Sequence, residues 1–246
     1  MRIQYRKRKD SVSGERIMKI RQKMILFFLL VMADLFLFCA AAVMWRERNS
    51  SVAAWKEQEA GEKKCVALTF DDGPNARYTK PLLDGLKKRG IHASFFLVGE
   101  CMDGKEDLVT QMADDGHLIG VHCMTHKDLT KEQLSDAKKE LDETREKIRE
   151  VTGTLPEYIR PPYGSWNAKL GETVDMIPVF WDVDSIDWRL KNTEKIVSKV
   201  LKDTEDGDII LMHDEFQTSI EAAFRIIDNL SAKGYTFVTI DELMVD

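Results

Sequence analysis

The sequence predicts an α/β fold on a parallel sheet, and three observations predict it. Short β-rich runs alternate with longer amphipathic ones from residue 63 to the end, as in strand–helix units joined by right-handed crossovers. Gly90, Gly116, Gly153 and Gly234 follow amphipathic runs, where helix C-terminal caps belong. Ionisable residues gather just after the β-rich runs, at the strand ends whose loops build the sites of parallel α/β proteins.

The elements follow in order. CVALTF precedes a helix over 77–89, HASFFLVG one over 105–115, HLIGVHC one over 131–152 and EYIRPPY one over 166–173. MIPVFWDVD precedes 193–204, GDIILMHD precedes 218–233, and YTFVTI closes the chain, making seven strands in a sheet that is open or closed into a barrel. A composition of 43% hydrophobic and 32% charged residues, with 14 Gly and 6 Pro, is globular and excludes disordered, collagen-like and disulfide-scaffold classes.

The net charge of −6 is uneven. Residues 1–23 carry nine Lys/Arg against Asp10 and Glu15, residues 24–45 carry only Asp34, and the remainder sums to −12. So acidic a domain excludes a nucleic-acid partner, which clustered Lys and Arg would have to hold. The run over 24–45 is long enough, at about 1.5 Å per residue, to cross a hydrocarbon core of roughly 30 Å. The expected organisation is therefore a basic cytoplasmic segment (1–23), a transmembrane signal anchor (24–45), a polar tether (46–62) and an exported domain (63–246). The alternative is secretion after cleavage near Ala40–Ala42. Cys39 lies in the span and Cys65, Cys101 and Cys123 beyond it. Small buried thiols are expected, with a Cys65–Cys101 bridge the alternative.

Five strand ends carry the chemistry: Thr69–Pro74, His122–His126, Arg160–Gly164, Asp184–Trp188 and Leu211–Asp214. Each has a bland reading: an Asp turn before Gly-Pro, capping histidines, a rigid Pro-Pro connector, a core tryptophan, a hydrogen-bonded core histidine. His92 and His117 are left as structural. Together the strand ends fit one mechanism. His122 and His126 with one carboxylate supply three N/O ligands and leave a fourth position open, as in a catalytic zinc site, where a water's pKa falls towards about 7. Of the paired aspartates, one ligates and its neighbour takes the proton. His213 protonates a leaving amine, oriented by Asp187, and Arg160 keeps the basic aspartate ionised.

TFDDGP, H-x-x-x-H, RPPYG, DxxDW and LxH, in this order, resemble the five motifs of the polysaccharide deacetylase family (NodB-homology domain, carbohydrate esterase family 4), over residues 63 to about 243. The resemblance implies a distorted, incomplete (β/α) barrel of about seven parallel strands. It implies Asp71 as catalytic base, and Asp72, His122 and His126 as ligands of a divalent metal, Zn2+ first and Co2+ or another ion as alternatives. It further implies that Arg160 orients Asp71, that the Tyr163 N–H serves an oxyanion hole, that Trp188 and Leu211 line the acetyl pocket, and that His213 is the general acid tuned by Asp187. Two positions depart from the pattern: Cys123 stands where Ser or Thr is usual, and Val121 where Asn or another polar residue is common.

The expected reaction is hydrolysis of N-acetyl groups on an amino-sugar polymer. A tether of 17 residues reaches at most about 60 Å, which favours membrane-proximal peptidoglycan and its N-acetylglucosamine. N-acetylmuramic acid, then chitin or poly-N-acetylglucosamine, are the alternatives. A non-haem Fe(II) oxygenase leaves Arg160, Asp187 and His213 without roles, and an inactive carbohydrate-binding relative has no need of Asp71 or His213.

Overall fold

The computed structural model describes residues 64–245 and the single position Met32; the elements below lie in the unit Lys63–Asp246. The expected basic segment, span and tether fall outside the described residues, apart from Met32. Among the described residues no helix is long and apolar enough to cross a membrane.

Eight strands form one sheet: β1 (Cys65–Asp71), β2 (Ser94–Leu97), β3 (Leu118–Val121), β4 (Tyr158–Ile159), β5 (Ile177–Pro178), β6 (Val183–Asp184), β7 (Ile209–His213) and β8 (Thr236–Val238). The helices are α1 (Thr79–Arg89), α2 (Glu106–Asp114), α3 (Leu134–Thr152), α4 (Ala168–Gly171), α5 (Asp187–Leu190), α6 (Thr193–Asp203), α7 (Gln217–Ala232) and α8 (Ile240–Val245). Two of them, α5 and α8, lie outside the expected helical runs, being too short to show a period. Helix α1 ends on Gly90 at φ 64°, whose N–H returns to the carbonyls of Leu86 and Lys87, a left-handed cap that glycine adopts without a Cβ clash.

All the pairings are parallel, and seven strands follow the curled path β5-β4-β3-β2-β1-β7-β6, an incompletely closed barrel. The expected run MIPVFWDVD divides between the two ends of that path, as β5 beside β4 and β6 beside β7. The chain between them spans the gap, with the Val179 N–H on the Ile159 carbonyl and the Asp182 N–H on the Ile209 carbonyl. β8 joins off the path. Ala67 pairs with Ile209 on one edge and with Val238 on the other, so β8 shares the β2 edge of β1.

Six of the seven residues of β1 are buried, because the central strand of a parallel sheet is covered on both faces. Val66, Leu68 and Phe70 enter the main core with Leu82, Leu86, Leu141, Val200 and Ile226 of the surrounding helices. Ala67 faces the other way, into a small cluster with Phe96, Val179 and Ile240 inside the curl. By strand alternation Thr69 and Asp71 share that inner face. The register then levels the strand ends: Asp71 lies opposite both Phe96 and His213, Val121 opposite Ile159, and Asp184 opposite Leu211. The motifs that continue from these positions meet at one rim.

Candidate active site

Of the six non-glycine residues with left-handed backbone among the described residues, five lie in the rim loops: Asp72, Cys123, His126, Tyr163 and Ile186. Each such residue costs about 1–3 kcal/mol and persists where its surroundings over-determine it. The Asp72 loop shows why. Gly73 passes so close to the buried Asp214 carboxylate that a Cβ there would lie 2.7 Å from Oδ2. Asp214 also binds the Thr79 hydroxyl, and Thr79 Oγ1 accepts the Asn75 N–H at 2.6 Å.

Asp72, His122 and His126 converge. Their nearest ligand atoms lie within 4.8 Å of one another, with His122 Nε2 at 3.3 Å and His126 Nε2 at 3.2 Å from Asp72 Oδ1. His122 Nδ1 lies 2.6 Å from the Arg160 carbonyl, which only accepts, so Nδ1 donates there and Nε2 is the nitrogen turned towards Asp72. Asp72 Oδ1 is buried without a hydrogen-bond partner among the described residues. A ring nitrogen and an anionic oxygen at this distance repel unless a proton or a metal ion lies between them, and here two such nitrogens face the one oxygen. The donor set, two imidazoles and a carboxylate, suits a divalent ion with an open position. Burial works against the Asp72 charge, but the imidazoles of His122, His126 and His213 outweigh it and hold the carboxyl below its usual range. Burial pulls the His126 imidazole down, against the attraction of Asp72.

Asp71 is held from behind. Arg160 is wholly buried; its Nη1 donates to Asp71 Oδ1 at 2.8 Å and to Thr69 Oγ1 at 2.6 Å, and its Nη2 to the Phe180 carbonyl at 3.1 Å. The guanidinium stacks 4.3 Å from the centre of the Phe96 ring. Thr69 passes its own proton to the Ile210 carbonyl at 2.8 Å, tying the brace to β7. Thr69 belongs to the TFDDGP motif, which by itself assigns it no role. Nothing local marks it, because its partner lies 91 positions away.

His213 enters from the other side, with Nε2 3.9 Å from Asp72 Oδ2. Its Nδ1 lies 2.7 Å from Asp187 Oδ1, and its backbone N–H donates to Asp187 Oδ2 at 2.9 Å. Burial opposes the imidazolium, but the hydrogen bond and charge of Asp187, with Asp71 and Asp72 nearby, raise its pKa to about 9. Trp188 and Tyr163 are exposed, and Leu211 is buried. The Tyr163 ring packs edge-on against His126 at 4.8 Å. The structure thus brings Asp71, Asp72, His122, His126, Arg160, Asp187 and His213 into one connected cluster and places Tyr163 beside His126.

Cys123 is buried, whereas Cys65 and Cys101 are half-buried rather than buried as expected. Burial pushes the Cys123 thiol up to about 11, against backbone N–H groups of Lys127, Thr125 and His126 that face its sulphur. His117 is structural, as expected: its Nδ1 accepts the Ala93 N–H at 3.1 Å, and burial lowers its pKa to about 4.

The polysaccharide deacetylase family profile matches residues 58–177. A peptidoglycan-N-acetylglucosamine deacetylase of Bacillus cereus is 35% identical over 185 residues, covering 72% of this chain and 67% of that protein. The chain belongs to the polysaccharide deacetylase family. This polysaccharide deacetylase family member is also 36% identical over 204 residues to the peptidoglycan-N-acetylglucosamine deacetylase PgdA of Listeria monocytogenes. It is 39% identical over 181 residues to the peptidoglycan-N-acetylmuramic acid deacetylase PdaC of Bacillus subtilis. These alignments cover 83% and 74% of the chain but only 44% and 39% of those longer relatives. The solved structure of PdaC superposes with a TM-score of 0.73 at 38% identity, over 74% of this chain and 91% of that one.

Proposed function

We propose that this chain is a metal-dependent hydrolase that removes N-acetyl groups from amino sugars of peptidoglycan, N-acetylglucosamine first. The observation that carries the reading is the convergence of His122 Nε2 and His126 Nε2 on the orphaned Asp72 Oδ1, with Asp71 and His213 on either side. Metal dependence is general in the family, and Asp72, His122 and His126 would hold the ion, Zn2+ by the preference of such a donor set. When bound, a divalent ion supplies Lewis acidity towards water and the amide carbonyl.

The chain's own residues do the rest. Asp71, oriented by the Arg160 guanidinium, accepts a proton from the attacking water. The Tyr163 N–H donates to the oxygen that gains charge, in the manner of an oxyanion hole. His213 gives its Nε2 proton to the departing nitrogen, and Asp187 retains the imidazolium until that moment. The acetyl methyl sits between Trp188 and Leu211. Because the base must be ionised and the acid protonated, kcat/KM should follow a bell-shaped pH profile.

The relatives named above support the polymer but divide over the sugar. Export on a membrane anchor over 24–45, with the domain outside the cell, rests on the basic residues before that run and on its length. The test is acetate release from N-acetylglucosamine oligomers and from peptidoglycan fragments, with chelator and with Zn2+ restored. No release from either substrate by the metal-loaded chain refutes the reading. Release from muramic acid alone moves the substrate to the second sugar.

A further inference from the structure

The loop that carries His126 leaves β3 at His122 and returns towards α3, with left-handed backbone at Cys123 and at His126. Its first half is pinned by backbone: the Gly99 N–H donates to the Cys123 carbonyl and the Glu100 N–H to the Met124 carbonyl, both at 3.0 Å. In turn Lys147 Nζ donates to the Gly99 carbonyl at 2.8 Å. Its second half, which bears the ligand, is gripped from α3 by a single carboxylate. Glu140 accepts the Thr125 N–H at 2.9 Å, the Thr125 hydroxyl at 2.9 and 3.0 Å, and Lys127 Nζ at 3.0 Å. These contacts bracket His126 on both sides in sequence. Two other side chains meet the same turn: Cys123, whose neutral thiol is a weak acceptor, and Tyr163, whose hydroxyl donates to the His126 carbonyl at 3.4 Å. A charged acceptor holds N–H and O–H donors about twice as strongly as a neutral one.

We infer that Glu140 is the positioning residue for His126: by clamping Thr125 and Lys127 it holds the His126 imidazole facing Asp72 and sets the affinity of the site for its divalent ion. The inference rests on the metal-site reading proposed above. Glu140 lies 14 positions beyond His126 on a helix that supplies no ligand, and its carboxylate reaches the loop rather than the ion. Its effect is therefore on geometry and affinity, and it takes no part in the chemistry.

The test titrates the metal-free full-length chain with Co2+, read by the visible absorption of the bound ion, and with Zn2+ in competition with a chromophoric chelator. Glu140→Ala should weaken both ions by about 10–100-fold, the range for a lost partner behind a metal ligand. Glu140→Gln, which keeps an acceptor for Thr125, should recover most of that affinity. Lys127→Ala should change it by less than about threefold, since Lys127 is exposed and such pairs contribute little. Should Glu140→Ala fail to fold, Thr125→Ala removes one hydrogen bond of the clamp and should weaken Co2+ by about 2–10-fold. Wild-type affinity and an unchanged Co2+ spectrum in Glu140→Ala, or in Thr125→Ala where that variant is the one read, overturn the inference. A wild-type chain that fails to bind either ion instead removes the metal-site reading itself.

Discussion

Asp187→Asn separates the charge behind His213 from its shape. The His213 pKa stands at about 9 against an ordinary 6.5, a gap worth about 3 kcal/mol between the charged and neutral ring. Burial alone would lower the value, so the gap comes from hydrogen bonding and charge, with Asp187 ahead of Asp71 and Asp72. A divalent ion beside Asp72 offsets that carboxylate's share, which brings the alkaline limb of the loaded enzyme below about 9. Without the Asp187 charge the limb should fall to 6.5 or below. At pH 8 a ring with the raised value is about nine-tenths protonated and one at 6.5 about 3%, so kcat/KM should drop by up to about 30-fold. At pH 6 the variant should recover much of the difference. Asp187 accepts from His213 Nδ1 and the Trp188 N–H on one oxygen and from the His213 N–H on the other. Either amide orientation therefore turns an NH2 group on a donor and costs about 1–3 kcal/mol of stability. Thermal unfolding measured alongside the pH–rate profile keeps the two effects apart. An alkaline limb that stays at its wild-type position in a folded variant would refute His213 as the acid tuned by Asp187.

Three further outcomes follow from the same geometry. Thr69→Val removes the oxygen that links Arg160 to β7 and should cost about 1–3 kcal/mol in chemical denaturation, with kcat reduced more than KM; unchanged kcat and stability would dismiss the brace. Cys123→Ser replaces a thiol that burial keeps neutral, its pKa being about 11, with a stronger acceptor for the same N–H groups, so steady-state activity should stay level or rise; its collapse would make the sulphur a ligand or otherwise essential. His117 has a folded pKa of about 4 against 6.5 unfolded, so the unfolded chain binds the extra proton between those values, and the stability present above pH 6.5 should be lost as the pH falls towards 4, by up to about 3 kcal/mol. His117→Gln should flatten that acid limb in denaturant titrations, and an unaltered slope would remove His117 as its source.

Much of the site was readable from the linear pattern because its chemistry sits where local order ends. An ionisable residue interrupts a buried β-rich run, so Asp71, His122, Arg160, Asp187 and His213 stand out where the runs end. Glu140 gives no such signal. It lies on an amphipathic helix among other charged residues, and charged residues on a helix are usually a solvated face. Asp214 was in view beside His213, but its contact with the Gly73 turn was not, since that turn lies more than a hundred positions away. The division of MIPVFWDVD between two sheet edges was hidden for the same reason: a continuous apolar run shows that a segment is buried, not which neighbours it pairs with.

Local order along the chain encodes the alternation of strands and helices, the caps that end the helices, and the residue types at the rim. Each of these depends on neighbours within a turn or a strand's length, where periodicity and φ/ψ preference act. Long-range packing is what lets Arg160 reach Asp71 from 89 positions away, turns two imidazoles towards one orphaned oxygen, and leaves the barrel open between β5 and β6. Those outcomes are set by packing the helices against a twisted sheet, which fixes approach distances and side-chain orientations that no local stretch of chain encodes.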